Sequence, residues 1–386
     1  MRFPRRASTA LAVAALLTTG LAGCSSDDDA AALTDVVIGA DLAASSPTDA
    51  AYGRALQLRV DQVNASGLLG NRRLRLNILD NRSDATVSLR NLSSFADNPS
   101  VAAVITGYCS QCVTGAAKTI NDKQLPTIAL APANEVAAPL NERRFIFKIG
   151  PNSPDSAAAL ATAMKAAEIK RVGVLHTDDL YGKGAKLAFE AEAVKAGLQI
   201  PSITEVKATA TDITQAVGTL ADSKPDALLY LVGPDLAGLA ATSAAAAGFK
   251  GKTYYDAAAA GDLFIPREAA VASEDATMVF TQTLAIDDVI ATTPAKAARK
   301  QWFRDYTSRY GTYSGVASLA ADAISVLADA IARNGTARPA LRDAIETTQL
   351  DGMSGAIRIT PDNHSGLMPQ ALTLLKARSG RWRLAS

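Results

Sequence analysis

The sequence predicts an α/β protein made of two Rossmann-like lobes, each holding a parallel sheet. Two observations predict it. Short apolar runs of strand length alternate with longer stretches of helical spacing from Val36 to Tyr255. The alternation is interrupted at Pro151 and Pro154 and then restarts, which divides it into two successive β/α series.

In the first series, Val36–Asp41 is an apolar strand followed by a small-residue loop, Ala43–Pro47. A helix over Asp49–Ala65 places Tyr52, Leu56, Val60 and Val63 on one face, and Gly67 and Gly70 close it. Arg73–Leu79 alternates as a strand, and Asp84 is placed to cap a helix ending near Pro99. Val101–Ile105 suits a strand buried on both faces. The loop Gly107–Ser110 then opens a helix from about Cys112 to Asp122, and Pro126 starts the strand Thr127–Ala131. Phe145–Ile149 is the last extended run before the prolines.

The second series sets helices at Asp155–Ala167, Lys183–Ala196, Ile213–Ala221 and Leu236–Ala247. Between them lie strands at Arg171–Leu175, Ile200–Glu205, Ala227–Val232 and Thr253–Tyr255. Thr277–Gln282 reads as a strand leaving this lobe, and helices at Pro294–Tyr310, Val316–Asn334 and Pro339–Thr347 return to the first. Ala356–Ile359 crosses once more, and Ala371–Lys376 is the final strand.

The stretch from Val101 to Asn134 is the expected working centre. Its loop sits at the carboxyl end of a parallel strand, where open α/β sheets bind ligands, and beside a helix N-terminus that favours an anion. Ser110 and Thr114 bring hydroxyls to that end, although Ser110 would serve equally as the helix cap.

Composition excludes several classes. The 386 residues allow two domains of ordinary size; they are 48% hydrophobic and only 20% charged, which is globular. No basic stripe suggests nucleic acid. There are two histidines, His176 and His364, too few for chemistry built on paired histidines, and no metal-ligand spacing or cofactor motif is present. The formal net charge is +1. Removing Arg2, Arg5 and Arg6 with the leader takes three from it and leaves −2.

Those arginines precede an apolar run, Ala10–Leu17, too short for the ~20 residues that span a bilayer, so residues 1–23 read as a signal peptide. The run leads to Leu21-Ala22-Gly23-Cys24, similar to a bacterial lipobox, which implies lipidation of Cys24 and cleavage before it. Residues 24–34 then form a small, acidic, flexible tether. Each buried acyl CH₂ is worth about 0.8 kcal/mol, so two or three chains would hold the protein durably on a membrane. Cys109 and Cys112 remain, in a compartment where disulfides persist. Their CSQC frame fits a small-loop disulfide that staples the loop. A thioredoxin-like redox site also uses such spacing, without the flanking tryptophan expected of one.

Four segments resemble the type I periplasmic binding proteins, in the leucine/isoleucine/valine-binding branch. They are ILDNRSDA (Ile78–Ala85), GYCSQC, IALAPAN (Ile128–Asn134) and LHTDDLYGKG (Leu175–Gly184). The resemblance implies two lobes joined by three hinge strands. The first would comprise 35–150 with 283–353, the second 151–282 with 354–386. The lobes would close on a small polar solute, an amino acid of branched-chain type or a related amide or carboxylate, and hand it to ABC permease subunits.

Carried over position by position, the resemblance has Ser110 bind the ligand carboxylate with backbone help from Ala131. Ala133 falls where the family has a second, carboxylate-binding threonine. Tyr181 would cover the ligand from the opposite lobe, and Asp256 would face its ammonium; alternatively they are a packing residue and a solvated acid. The family's aromatic in the loop after the first strand is missing from ASSPTDAAYG, and its tyrosine near Val232 and Gly233 is absent. These departures point to shifted specificity or a wider pocket. The protein is thus expected to be a lipid-anchored, extracytoplasmic receptor without enzymatic activity. A sensory lobe that signals to a membrane partner is the alternative.

Overall fold

The computed structural model describes residues 33–385; the leader, Cys24 and the tether up to residue 32 lie outside them. Strand β1 (Thr34–Leu42) begins inside the last residue assigned to the tether. Helix α1 (Pro47–Ser66) follows, with Pro47 in its first turn, the Ser46 side chain accepting from the Asp49 N–H, and Gly67 ending it in the left-handed region. Then come β2 (Arg72–Asp80), α2 (Ala85–Asp97), β3 (Val101–Thr106), α3 (Ser110–Asp122), β4 (Thr127–Ala129) and β5 (Ile146–Lys148). Asp84 does cap α2, accepting from the N–H groups of Thr86 and Val87 at 2.8 Å. All six residues of β3 are buried, as its unbroken apolar run requires of a strand covered on both faces.

After the first crossover come α4 (Ser153–Ala166), β6 (Arg171–Thr177), α5 (Leu180–Ala196), β7 (Gln199–Val206) and α6 (Thr214–Asp222). They are followed by β8 (Ala227–Leu231), α7 (Pro234–Ala246), β9 (Lys252–Tyr255), the short α8 (Arg267–Ala270) and β10 (Thr277–Thr281). The chain then returns through α9 (Pro294–Tyr310), α10 (Ala317–Asn334) and α11 (Arg338–Ile345). It passes through β11 (Gln349–Asp351) and β12 (Ala356–Arg358) and ends in β13 (Leu372–Arg378) and β14 (Arg381–Leu384).

Two sheets result. The first runs β2-β1-β3-β4-β5, parallel throughout. The second contains β7-β6-β8-β9-β10 in the same relative order, also parallel, extended by the antiparallel β13 and β14. In such doubly wound sheets the order reverses between the first strand and the third, and the crevice at that point is the natural ligand site. Here the loop after β3 meets the loop after β8, Tyr108 standing against Gly233. Residues 356–359 do not cross as a strand of either sheet. β12 pairs with β11 in a separate antiparallel ribbon, because Gly352–Gly355 turns the chain back on itself.

The crossovers are knitted together. Lys148, at the end of β5, pairs with Ser365, and its N–H donates to the His364 carbonyl. His364, in the polar stretch PDNHSG, is buried. Its Nε2 lies 2.8 Å from Glu346 Oε1, its Nδ1 lies 2.8 Å from the Ile146 carbonyl, and its ring packs on Phe147.

Candidate functional site: the cleft between the sheets

The first-lobe wall is built from the loops after β1, β3 and β4. α3 begins at Ser110 because Cys109 takes the cap position, its Sγ accepting the Cys112 N–H at 3.2 Å. Cys109 and Cys112 are joined in a disulfide with their Cα atoms 5.3 Å apart. Relieved of capping, Ser110 Oγ accepts the Ala133 N–H at 3.2 Å and so couples the loops after β3 and β4. Thr114 donates its hydroxyl to the Ser110 carbonyl at 3.2 Å, a helix-internal bond, so it does not present that group to the cleft.

Asp49 fastens the same wall, accepting the Ala43 N–H at 2.7 Å and the Tyr108 N–H at 2.8 Å. Burial pushes its carboxyl up to about 6. Position 107 must be glycine, since a Cβ there would lie 2.4 Å from Asp49 Oδ2.

The second-lobe wall carries the charge. Asp179 caps α5 by accepting the Gly182 N–H at 2.9 Å, which starts the helix at Leu180 rather than near Lys183. Tyr181 therefore sits in the first helical turn and donates its hydroxyl to Asp256 Oδ2 at 2.7 Å. Asp256 is 3% exposed, and its Oδ1 has no hydrogen-bond partner among the described residues. Burial raises the Asp256 pKa, partly offset by the bond from Tyr181; burial also holds the Tyr181 phenol far above its ordinary value, so it stays a donor. The glycines of Tyr-Gly-x-Gly have steric roles. A Cβ at Gly182 would meet the Thr177 carbonyl at 2.2 Å, and one at Gly184 would meet Glu135 Oε1 of the opposite wall at 2.9 Å.

Between the walls lies a cavity of about 30 Å³, lined among others by Ala131, Tyr181 and Asp256, together with Tyr52, Tyr108 and Phe280. Ser110 and Ala133 are not on its surface; they are buried and bonded to each other. At roughly 10–15 Å³ per water, the cavity holds about two waters, too little for a molecule the size of leucine. The cleft is narrow, because aromatics fill it. Tyr52, from α1, donates to the Leu130 carbonyl at 3.2 Å, and Tyr108 reaches to within 3.2 Å of where a Gly233 Cβ would stand. Helical spacing puts Tyr52 on a helix face, and nothing in GYCSQC marks Tyr108 as a cleft residue.

Lys148 borders the site at the first crossover. It is fully buried and donates to the Gly150 and Pro151 carbonyls and to Asn152 Oδ1. Desolvation lowers its pKa to about 7 against the opposing pull of Asp155, Asp256 and Glu135. Among the described residues no cluster of histidine, cysteine and acids could hold a metal. His176, at the end of β6, is buried with Nδ1 2.9 Å from the Thr177 carbonyl.

Two sheets of matching strand order face each other across a narrow crevice, the architecture of a two-lobed binding protein. The sequence profile of the periplasmic binding protein family matches residues 36–381, and the chain belongs to that family, with the type I fold. No curated protein matches it significantly in sequence. Among solved structures it is similar to an extracellular ligand-binding receptor from Rhodopseudomonas palustris HaA2, at 22% identity and TM-score 0.82, covering 92% of this chain and 100% of that one. It is also similar to a leucine binding protein, LivK, from Thermotoga maritima MSB8, at 22% identity and TM-score 0.78 with 91% and 98% covered. An ABC transporter substrate-binding protein from Desulfitobacterium hafniense in complex with Leu follows at 19% identity and TM-score 0.73, with 91% and 100% covered. Among the described residues no helix is long and apolar enough to cross a membrane.

Proposed function

We propose that this chain is the extracytoplasmic, lipid-anchored substrate-binding protein of an ABC importer. It captures a small polar solute of the branched-chain amino-acid type, or a related small amide or carboxylate, by closing its two lobes. The single observation that carries the reading is the buried, unpartnered Oδ1 of Asp256 in the cleft. An unpaired buried acceptor costs about 1–3 kcal/mol, and a ligand ammonium or amide N–H would remove that cost. Ala131 lines the opposite wall, and Ser110 and Ala133, bonded to each other behind it, would come within reach of the ligand's acidic end when the lobes part, the Ser110 O–H and backbone groups taking it. Thr114 supports that wall from within α3. The first lobe would be 35–150 with 283–353 and the second 151–282 with 354–386, with Cys24 carrying the anchor. The Leu complex of the D. hafniense protein supports the solute class.

The test is a thermal-shift panel of amino acids, small amides and short carboxylates on the mature protein, followed by calorimetry. A stabilising amine- or amide-bearing solute is expected; binding confined to solutes without such a group would overturn the reading. Cys24→Ser is expected to release the protein from membranes, and sedimentation with washed membranes would place the anchor elsewhere.

A further inference from the structure

Tyr108 lies in the first lobe, directly after β3, yet its hydroxyl ends in the second. It donates to the Ala258 carbonyl at 3.2 Å and stands 3.2 Å from the site of a Gly233 Cβ. Both partners belong to loops at the carboxyl ends of second-sheet strands, after β9 and β8. The base of the side chain is held from two sides. Its own N–H is bonded to Asp49, and the next residue, Cys109, is locked in the disulfide that caps α3.

We propose that Tyr108 is a bolt across the cleft: a positioning residue that holds the lobes together before ligand arrives and so sets the fraction of protein that is closed. The inference rests on the two-lobe closure proposed above but not on its ligand. A rigidly mounted side chain that bonds the other lobe's backbone can do so only when the lobes meet, so its free energy counts entirely toward the closed form. Gly233 is the matching recess, since any larger residue would press on the phenol oxygen. Burial keeps the Tyr108 hydroxyl protonated far above its ordinary range, so the bolt donates at any physiological pH. One neutral hydrogen bond contributes about 0.5–1.5 kcal/mol, enough to change the closed-to-open ratio two- to tenfold.

The experiment measures the distance between nitroxides at Leu68→Cys and Val194→Cys in the whole mature protein without ligand. Leu68 follows α1 in the first lobe and Val194 lies near the end of α5 in the second; both are exposed. Tyr108→Phe keeps the ring and removes the bond, and Gly233→Ala crowds the recess while leaving Tyr108 intact. Both are expected to lower the ratio of shorter to longer separations two- to tenfold, with little change in melting temperature. Distance distributions that superimpose on the parent's in both variants would overturn the bolt, whether the parent is open or closed. Failure of every solute in the binding panel would sink the ligand reading and leave this one standing.

Discussion

The two walls of the cleft differ in what they leave free. On the first-lobe wall several polar groups satisfy one another: Ser110 with Ala133, Asp49 with Ala43 and Tyr108, Tyr52 with Leu130, while Glu135 Oε2 at its edge has no partner among the described residues. On the second-lobe wall Tyr181 supplies one oxygen of Asp256; among the described residues the other has no hydrogen bond of good geometry, although the buried Ser156 hydroxyl stands near it. A paired wall gives shape and a fixed backbone; an unpaired buried acceptor gives a demand that only a donor can meet. Under the proposed function, recognition would weigh on the amine or amide end of the ligand, and the end facing Ser110 would be held by fewer and weaker contacts. This fits the alanine at position 133, which has no hydroxyl to offer.

The largest expected effect would break the comparison from the charged side. Asp256→Asn removes the charge and halves the acceptor capacity of the group that an ammonium would meet. Hydrogen bonds to charged groups contribute about 1.5–3 kcal/mol, so affinity for an ammonium-bearing solute should fall roughly 10- to 150-fold. Because burial already disfavours this carboxylate, the melting temperature of the unliganded variant should hold or rise. Calorimetry of the variant beside the parent decides it, and an affinity within threefold of the parent would place recognition elsewhere.

A smaller effect sharpens the comparison from the paired side. Ser110→Ala removes one neutral hydroxyl and should weaken binding only about two- to tenfold, at about 0.5–1.5 kcal/mol. Ala133→Thr should tighten binding of carboxylate-bearing solutes by a similar factor while leaving amides unchanged. A loss from Ser110→Ala as large as that from Asp256→Asn would erase the asymmetry between the walls.

The lobes were legible because doubly buried strands are written as unbroken apolar runs, as in VAAVIT of β3 and ALLYL of β8. Helix starts were less so. Cysteine is not a usual cap, so Ser110 was weighed as the cap of α3, and the true cap of α5 hid in the acidic pair Asp178-Asp179. Tyr52 sits at a helical spacing that speaks equally for a core face and for a cleft. Which it serves depends on the second lobe, whose position no local pattern encodes. Tyr108 shows the same gap more sharply, since its partners are more than a hundred residues away in sequence. The unpaired oxygen of Asp256 could not be read at all, because it is defined by what fails to reach it.

The smallest expected effect concerns pH and the fastening of the first wall. Asp49 titrates at about 6 in the folded protein against an ordinary 3.8, because burial penalises its charge more than its two backbone bonds favour it. The folded state thus binds more protons than the unfolded chain across that interval. The Asp49 contribution to stability is complete below pH 3.8 and is lost as pH rises through about 6. Asp322 is also raised to about 6, by complete burial, and acts in the same direction. The melting temperature should consequently carry a downward contribution between pH 4 and 6.5, which Asp49→Asn should flatten in part. That variant starts from a lower baseline, since an amide can accept only one of the two N–H groups now bonded. No comparable flattening is expected from Ser110→Ala, which titrates nothing. Melting curves at half-unit pH steps would settle the matter: parallel slopes for the parent and Asp49→Asn would mean that the carboxyl titrates near its ordinary value and that the wall is wetter than its packing indicates.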